Sequence, residues 1–138
     1  MNRFVLDCSV TMAWCFEDQA NDYTKRVLES LSKTTALVPY LWILEVTNVL
    51  LVAERRKAIT SSESSRFIEL LNQLPIMVAS ERESGLDESF LSLARLHNLS
   101  SYDSAYLHLA MIHGLPLATR DQPLRYACKK SGVKIYED

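Results

Sequence analysis

The sequence is poor in the residues and patterns that define several classes of protein. Its 138 residues include only three glycines and four prolines, which excludes collagen-like chains and Gly-rich or Pro-rich disordered chains. No apolar run approaches the roughly 18 residues of a membrane-spanning helix, and the chain opens on a strand pattern instead of a signal peptide. We therefore expect a cytoplasmic protein with no membrane segment.

Cysteine and positive charge are also scarce. The three cysteines, Cys8, Cys15 and Cys128, form no CxxC pair and lie among apolar neighbours, so we expect reduced core residues without a disulfide framework or zinc site. The net charge of -2 and the pI near 5.9 give no global positive field that would attract nucleic acid. A polyanionic partner would need a local basic patch.

The sequence does contain a regular alternation of short apolar runs and helical patterns. This alternation predicts an α/β fold in one domain over residues 1–138, with a single parallel sheet flanked by helices on both faces. A polar link through Gly85 leads into a helix that turns Leu86 inward. The helix from Leu41 to Ala53 is apolar on nearly every side, which predicts a second cover beyond its own sheet. Five strands are predicted, at Phe4 to Leu6, Ala36 to Val38, Pro75 to Ala79, Leu115 to Thr119 and Val133 to Tyr136.

Asp7 is the first candidate site residue, because the buried run that ends at Leu6 stops directly on this carboxylate. Ligands of open parallel sheets bind beyond the carboxyl ends of the strands, where Asp7 is predicted to lie. The alternative is structural, since an Asp in this position can cap the helix that is predicted to begin at Val10.

Three more acids fall at positions related to the same edge. Asp121 follows the fourth strand, and Asp103 lies in the first turn of the helix that leads into that strand. Glu45 lies inside the apolar helix, on the same side as Asn48, and a charge there is costly unless it is paired or bound to metal. The alternatives are a structural ion pair or a hydrogen bond to a backbone amine for Glu45, and a favourable helix N-terminal charge for Asp103.

Four carboxylates at one sheet edge, with no Lys or Arg between them, would repel one another unless cations fill the space. Oxygen-only ligands point to a hard cation, Mg²⁺ or Mn²⁺, because thiolate and imidazole are missing from the set. The histidines, His97, His108 and His113, lie away from the carboxylate positions. One or two such ions can activate water against a phosphodiester, so hydrolysis of a phosphodiester is the predicted chemistry.

The ordered set of motifs resembles the PIN domain, and more narrowly the VapC ribonuclease toxins of toxin-antitoxin pairs. The resemblance runs over essentially the whole chain. It implies a sheet in the order 3-2-1-4-5, a divalent metal at the four acids, cleavage of RNA, a homodimer, and inhibition by a VapB-type antitoxin. The segments that carry it are Leu6 to Ser9, Pro39 to Trp42, Glu45 to Asn48, Ser101 to Ala105 and Leu117 to Asp121.

Other polar residues take roles from the same resemblance. Ser9, Asn48 and Thr119 match accompanying positions and would orient ligands or water. Arginines are suited to phosphate because of their forked geometry, although a solvated surface charge is an equal alternative for each. The arginines proposed for RNA contacts are Arg55, Arg56 and Arg120.

Rival classes make different demands on the sequence. A receiver-like signalling domain has a similar size and five parallel strands, but it needs an acid directly after strand three, where Ala79 and Ser80 stand. A phosphatase with an aspartyl nucleophile needs a second Asp two residues after Asp7, where Ser9 stands. A pure binding module would have little use for four converging acids.

Overall fold

A computed structural model describes residues 2–80 and 87–138 of the chain. Within these ranges, four parallel strands form one sheet in the order β3-β2-β1-β4. In β1, the three apolar residues from Phe4 to Leu6 are completely buried, as the uninterrupted run predicts. The strands are β1 (Arg3–Leu6), β2 (Thr35–Val38), β3 (Ile76–Val78) and β4 (Leu117–Ala118).

Helices connect the strands, and their ends follow local sequence signals. Thr60 and Glu63 form a capping box at the start of one helix, and Ser100 caps another by accepting the Asp103 N–H. Gly114 and Gly132, at φ of 62° and 80°, end two helices in the left-handed region, where glycine is favoured. The helices are α1 (Cys8–Cys15), α2 (Asp22–Ser30), α3 (Leu41–Arg55), α4 (Ser61–Asn72), α5 (Glu88–His97), α6 (Ser101–His113) and α7 (Gln122–Ser131).

The predicted fifth strand is reduced to a single parallel bridge between Ile135 and Leu117. Leu117 N–H donates to the Lys134 carbonyl, and its carbonyl accepts from Tyr136 N–H, both at 2.9 Å. The pairing stops there because the chain turns at Tyr136, whose ring stacks on Phe4 at 3.9 Å between centroids. The bridge lies beyond β4, at the position that the order 3-2-1-4-5 gives to strand five.

The hairpin of α3 and α4 leaves part of its apolar surface uncovered within the described chain. Trp42 and Val46 are buried in the core, while Leu44 and Leu51 on the other side of α3 are exposed. This is the face for which the sequence predicts a second cover. A cavity of about 260 Å³ lies between α3, α4 and β3.

Other expectations have mixed outcomes. Cys8, Cys15 and Cys128 are all free thiols, and the first and last are buried, as predicted. No described helix combines the length and apolar character needed to cross a membrane. Gly85 and Leu86 lie outside the described residues.

Candidate active site

Asp7 lies at the carboxyl edge of the sheet, between the ends of β1 and β4. Its backbone N–H donates to the Ala118 carbonyl at 3.0 Å, which extends the pairing of the two strands by one residue. Asp7 occupies the N-cap position of α1, but its side chain makes no capping hydrogen bond. The carboxylate instead accepts hydrogen bonds from side-chain hydroxyls.

Two hydroxyls hold the Asp7 carboxylate. Ser9 Oγ donates to Asp7 Oδ2 at 2.6 Å, and Thr119 Oγ1 donates to the same oxygen at 2.7 Å. Burial raises the pKa of Asp7 and the nearby Asp121 charge raises it further, while the two hydroxyls act in the opposite direction. Both hydroxyls therefore bind the same carboxylate oxygen.

Asp121 is tied to the same group of residues. Its backbone N–H donates to Thr119 Oγ1 at 3.0 Å, so one hydroxyl connects two of the predicted acids. One side-chain oxygen, Oδ2, accepts the Leu124 N–H at 3.0 Å and caps α7. Asp121 therefore combines a structural role at the helix start with a position beside Asp7.

Glu45 projects from α3 toward α6. Tyr106 Oη donates to Glu45 Oε1 at 2.5 Å, and the Tyr106 side chain is completely buried. Burial raises the pKa of Glu45, the Tyr106 hydroxyl lowers it, and the Asp7 charge raises it. The partner of Glu45 is therefore a neutral hydroxyl, and the alternative ion pair is not found in the described part of the chain.

The Asp103 carboxylate is affected by the other three acids. Its pKa is raised to about 6, mainly by burial and then by the negative charges of Asp7, Asp121 and Glu45. The charges of the other three acids therefore act on the Asp103 carboxylate. A favourable helix N-terminal charge does not account for a pKa that is raised.

The residues present fit a hard divalent cation. The four acids supply only oxygen atoms, and no Lys or Arg among residues 2–80 and 87–138 forms an ion pair with them. No three Asp, Glu, His or Cys residues in that part of the chain are close enough to form a ready-made metal cluster. Binding of one cation by several of the acids would require their carboxylates to move closer together.

The remaining predicted residues lie at different distances from these acids. Ser9 and Thr119 contact Asp7, whereas Asn48 is exposed on α3 one turn after Glu45. Arg55 and Arg56, exposed at the end of α3, lie about 15 Å further along the helix than Glu45, from a rise of about 1.5 Å per residue.

Arg120 is much closer to the acids than the two α3 arginines, since its backbone N–H donates to Ser9 Oγ at 3.1 Å. Its guanidinium donates to Gln19 Oε1 at 3.5 Å. The role of all three predicted arginines as phosphate contacts stays a prediction.

The sequence did not single out Tyr106, which binds the Glu45 carboxylate. It follows Asp103 by three residues, and this spacing places both side chains on one side of α6. A tyrosine in the middle of a buried helix also needs a polar partner for its hydroxyl. Together these two signals could have singled it out.

The match to known families identifies the architecture. The family model for the PIN domain covers residues 4–130. The chain belongs to the PIN domain family. PIN domains are generally metal-dependent nucleases, which agrees with the chemistry that the carboxylates suggest. Membership decides against the receiver-like alternative. A search of curated proteins gave no significant match.

Three solved structures share this PIN fold. PAE2754 from Pyrobaculum aerophilum has a TM-score of 0.68 at 21% identity, over 91% of this chain and 86% of that chain. VapBC2 from Rickettsia felis, bound to a DNA fragment from its promoter, has a TM-score of 0.65 at 11% identity, over 96% of each chain. FitAcB from Neisseria gonorrhoeae has a TM-score of 0.63 at 20% identity, over 97% of this chain and 96% of that chain.

Proposed function

We propose that this PIN domain is a metal-dependent endoribonuclease and the toxin of a VapBC-type pair. The observation that carries the proposal is the set of four carboxylates, which repel one another and, among residues 2–80 and 87–138, have no cationic side chain as a partner. Such a set favours divalent cations and, beside them, the phosphodiester of an RNA chain. Residues 1–138 would act as one domain in the cytoplasm, where RNA is available.

The four acids have the residue type and position to hold Mg²⁺ or Mn²⁺, as one or two ions per site. They are Asp7, Glu45, Asp103 and Asp121. When bound, the ion supplies an activated water and neutralises the charge that develops on phosphorus oxygens. The protein contributes orientation: Ser9 and Thr119 fix Asp7, and Tyr106 fixes Glu45. Hydrolysis by water leaves a 5'-phosphate on the product.

The partners follow from the same proposal. Two of the structural neighbours carry the names of paired systems, VapBC2 and FitAcB, which supports a VapB-type antitoxin as the partner of this chain. The exposed apolar side of α3, with Leu44 and Leu51, supplies surface for an antitoxin, for a homodimer, or for both.

Cleavage of a single-stranded RNA in Mg²⁺ or Mn²⁺, followed by end-group analysis, tests the enzyme. We expect 5'-phosphate products, complete inhibition by EDTA, and losses of orders of magnitude in rate for Asp7→Ala, Glu45→Gln and Asp121→Asn. Glu69→Gln, a change of the same kind at an exposed position of α4, is the control and should keep full activity.

Three results would each exclude the mechanism: metal-independent cleavage, 2',3'-cyclic ends, or full activity in Asp7→Ala. RNA binding without cleavage by correctly folded protein under all metal conditions would favour a non-catalytic binding module.

A further inference from the structure

A second candidate site lies beside the acids, and it contains several arginines. Three arginines surround a cavity of about 270 Å³, which we call the arginine pocket. We propose that the arginine pocket binds a backbone phosphate of single-stranded RNA. A neighbouring phosphodiester of the same strand would lie at the carboxylates. This inference rests on the proposed function, since it extends the same substrate beyond the acids. The lining residues are Asn21, Tyr23, Arg26, Arg120, Gln122, Arg125 and Asp138.

The pocket is built by fixed contacts around Tyr23. The Tyr23 hydroxyl donates to the Tyr136 carbonyl at 2.8 Å, which anchors the ring. The guanidinium carbon of Arg125 lies 4.9 Å from the ring centroid, and that of Arg26 lies 5.8 Å from it. Arg125 Nη1 also donates to the Thr119 carbonyl at 2.8 Å. These contacts hold two guanidinium groups near one aromatic ring before any ligand binds.

The charges in the pocket are not balanced by its own residues. Of its three guanidinium groups, only that of Arg125 has a carboxylate partner, Asp138, within the described chain. Arg26 donates to the Glu137 carbonyl at 3.4 Å and Arg120 to the Gln19 side-chain oxygen at 3.5 Å, and both acceptors are neutral. Three cations against one anion leave room for added negative charge in a protein whose net charge is -2.

The arginine pocket adjoins the carboxylates through Thr119. The hydroxyl of this buried residue donates to Asp7, while its carbonyl accepts from Arg125, so one residue contacts both sites. Arg120 lies between Thr119 and Asp121 in the chain. A nucleic acid strand that places one phosphodiester at the acids therefore passes close to the arginines.

The chemistry of the pocket favours phosphate over a base. Guanidinium groups bind phosphate oxygens through forked hydrogen bonds, and backbone contacts of this kind carry much of the affinity for nucleic acids. Two arginines already lie against the Tyr23 ring, which leaves it poorly placed to stack on a base. We therefore expect binding that is independent of base sequence.

The test measures the affinity of labelled single-stranded RNA by fluorescence anisotropy, over a series of KCl concentrations. All proteins carry Asp7→Asn, so that the RNA stays intact. Arg26→Gln and Arg120→Gln should each weaken binding about tenfold and lower the slope of log affinity against log salt by roughly 0.7. The losses should be equal for poly(U) and poly(A). Arg66→Gln, an exposed charge on α4, is the matched control and should bind as the parent does.

Arg26 is exposed and Arg120 is partly exposed, so the pair gives two independent variants if one folds poorly. The proposal that the arginine pocket binds phosphate would be overturned by unchanged affinity and salt slope in both variants. An equal loss of affinity in Arg66→Gln would also overturn it. The same arginine changes in the active protein separate this result from the nuclease proposal. Metal-dependent cleavage with KM unaffected by either arginine would refute the pocket alone. Arginine-dependent binding without cleavage would refute the nuclease alone.

Discussion

Tyr106 and Glu45 join two helices that are far apart in sequence, through a hydrogen bond of 2.5 Å between the phenol hydroxyl and the carboxylate. Tyr106 is completely buried in α6, three residues after Asp103, whereas Glu45 is half-buried in α3. The bond fixes the direction of one carboxylate oxygen. Because Asp103 lies on the same side of α6, the contact also sets where two of the acids stand relative to each other.

Tyr106→Phe should separate this positioning role from a packing role, because the ring remains and only the hydroxyl is lost. We expect kcat to fall about tenfold to a hundredfold, with KM for RNA little changed and unfolding free energy lower by about 1 kcal/mol. The hydroxyl lowers the pKa of Glu45, so the acidic limb of the pH–rate profile should also move to higher pH.

Tyr102→Phe changes an exposed tyrosine of the same helix and is the control. It should change neither kcat nor the pH–rate profile. A normal kcat and an unmoved pH profile in Tyr106→Phe would show that the hydroxyl does not position Glu45.

Asp103 should make the metal-free protein less stable as pH rises. Its pKa of about 6 in the folded state exceeds the ordinary aspartate value of 3.8, so the folded state holds the proton more tightly than the unfolded chain. The resulting stability is present in full below about pH 4 and is lost as pH rises to about 6. In EDTA, the free energy of unfolding of Asp103→Asn should equal that of the parent near pH 4 and exceed it by about 1 kcal/mol at pH 7. The difference is this small because solvent screens part of the repulsion.

Urea unfolding across this pH range measures the difference. Asp22→Asn, in the first turn of α2, makes the same substitution away from the acids and should show no such pH-dependent gain. A parent and an Asp103→Asn variant with parallel curves from pH 4 to pH 7 would contradict the repulsion.

The sequence predicted those parts of the site that depend on local pattern. Asp7 and Asp121 follow buried runs, and parallel strands bring such positions to one edge regardless of the intervening chain. Tyr106 was missed because its partner lies in another helix, and helix periodicity does not say which helices meet. The arginine pocket was missed for the same reason, since Arg26 and Arg125 meet only when α2 and α7 are placed beside each other.

The fifth strand was predicted from its local pattern but is reduced to a single bridge in the structure. The apolar run from Val133 to Tyr136 has a strand pattern, but β4 offers only two residues for pairing, and Tyr136 packs its ring on Phe4 instead. A short neighbour and a competing aromatic contact limited the strand to one bridge, and neither is visible in a local window of sequence.

Divalent metal should stabilise the fold by mass action, because the carboxylates come together only in the folded chain. At about 100 times Kd, a ligand that binds only the folded state adds about 2.7 kcal/mol. We expect Mg²⁺ or Mn²⁺ at millimolar concentration to raise Tm, and Asp7→Asn to abolish the shift. Differential scanning calorimetry in EDTA and in metal measures it. Glu69→Gln should keep the whole shift, and an unchanged Tm in the parent would argue against a metal site at these acids.

The exposed apolar side of α3 should be covered in solution by a second copy of the chain or by the antitoxin. Leu44 is 56% exposed and Leu51 is 40% exposed, on a helix whose opposite side is already buried in the core. Light scattering of the purified chain should therefore give a mass above 15.7 kDa. Leu44→Glu should return it to one chain, because a desolvated charge at an interface is costly.

Tyr126→Glu places the same charge on an exposed site of α7 and should leave the assembly intact. A monomer at high micromolar concentration, without binding of a hydrophobic dye, would mean that this face needs no cover. A dimer that Leu44→Glu does not disturb would place the contact elsewhere on the molecule, since an interface at α3 cannot bury an unpaired glutamate at that position without weakening.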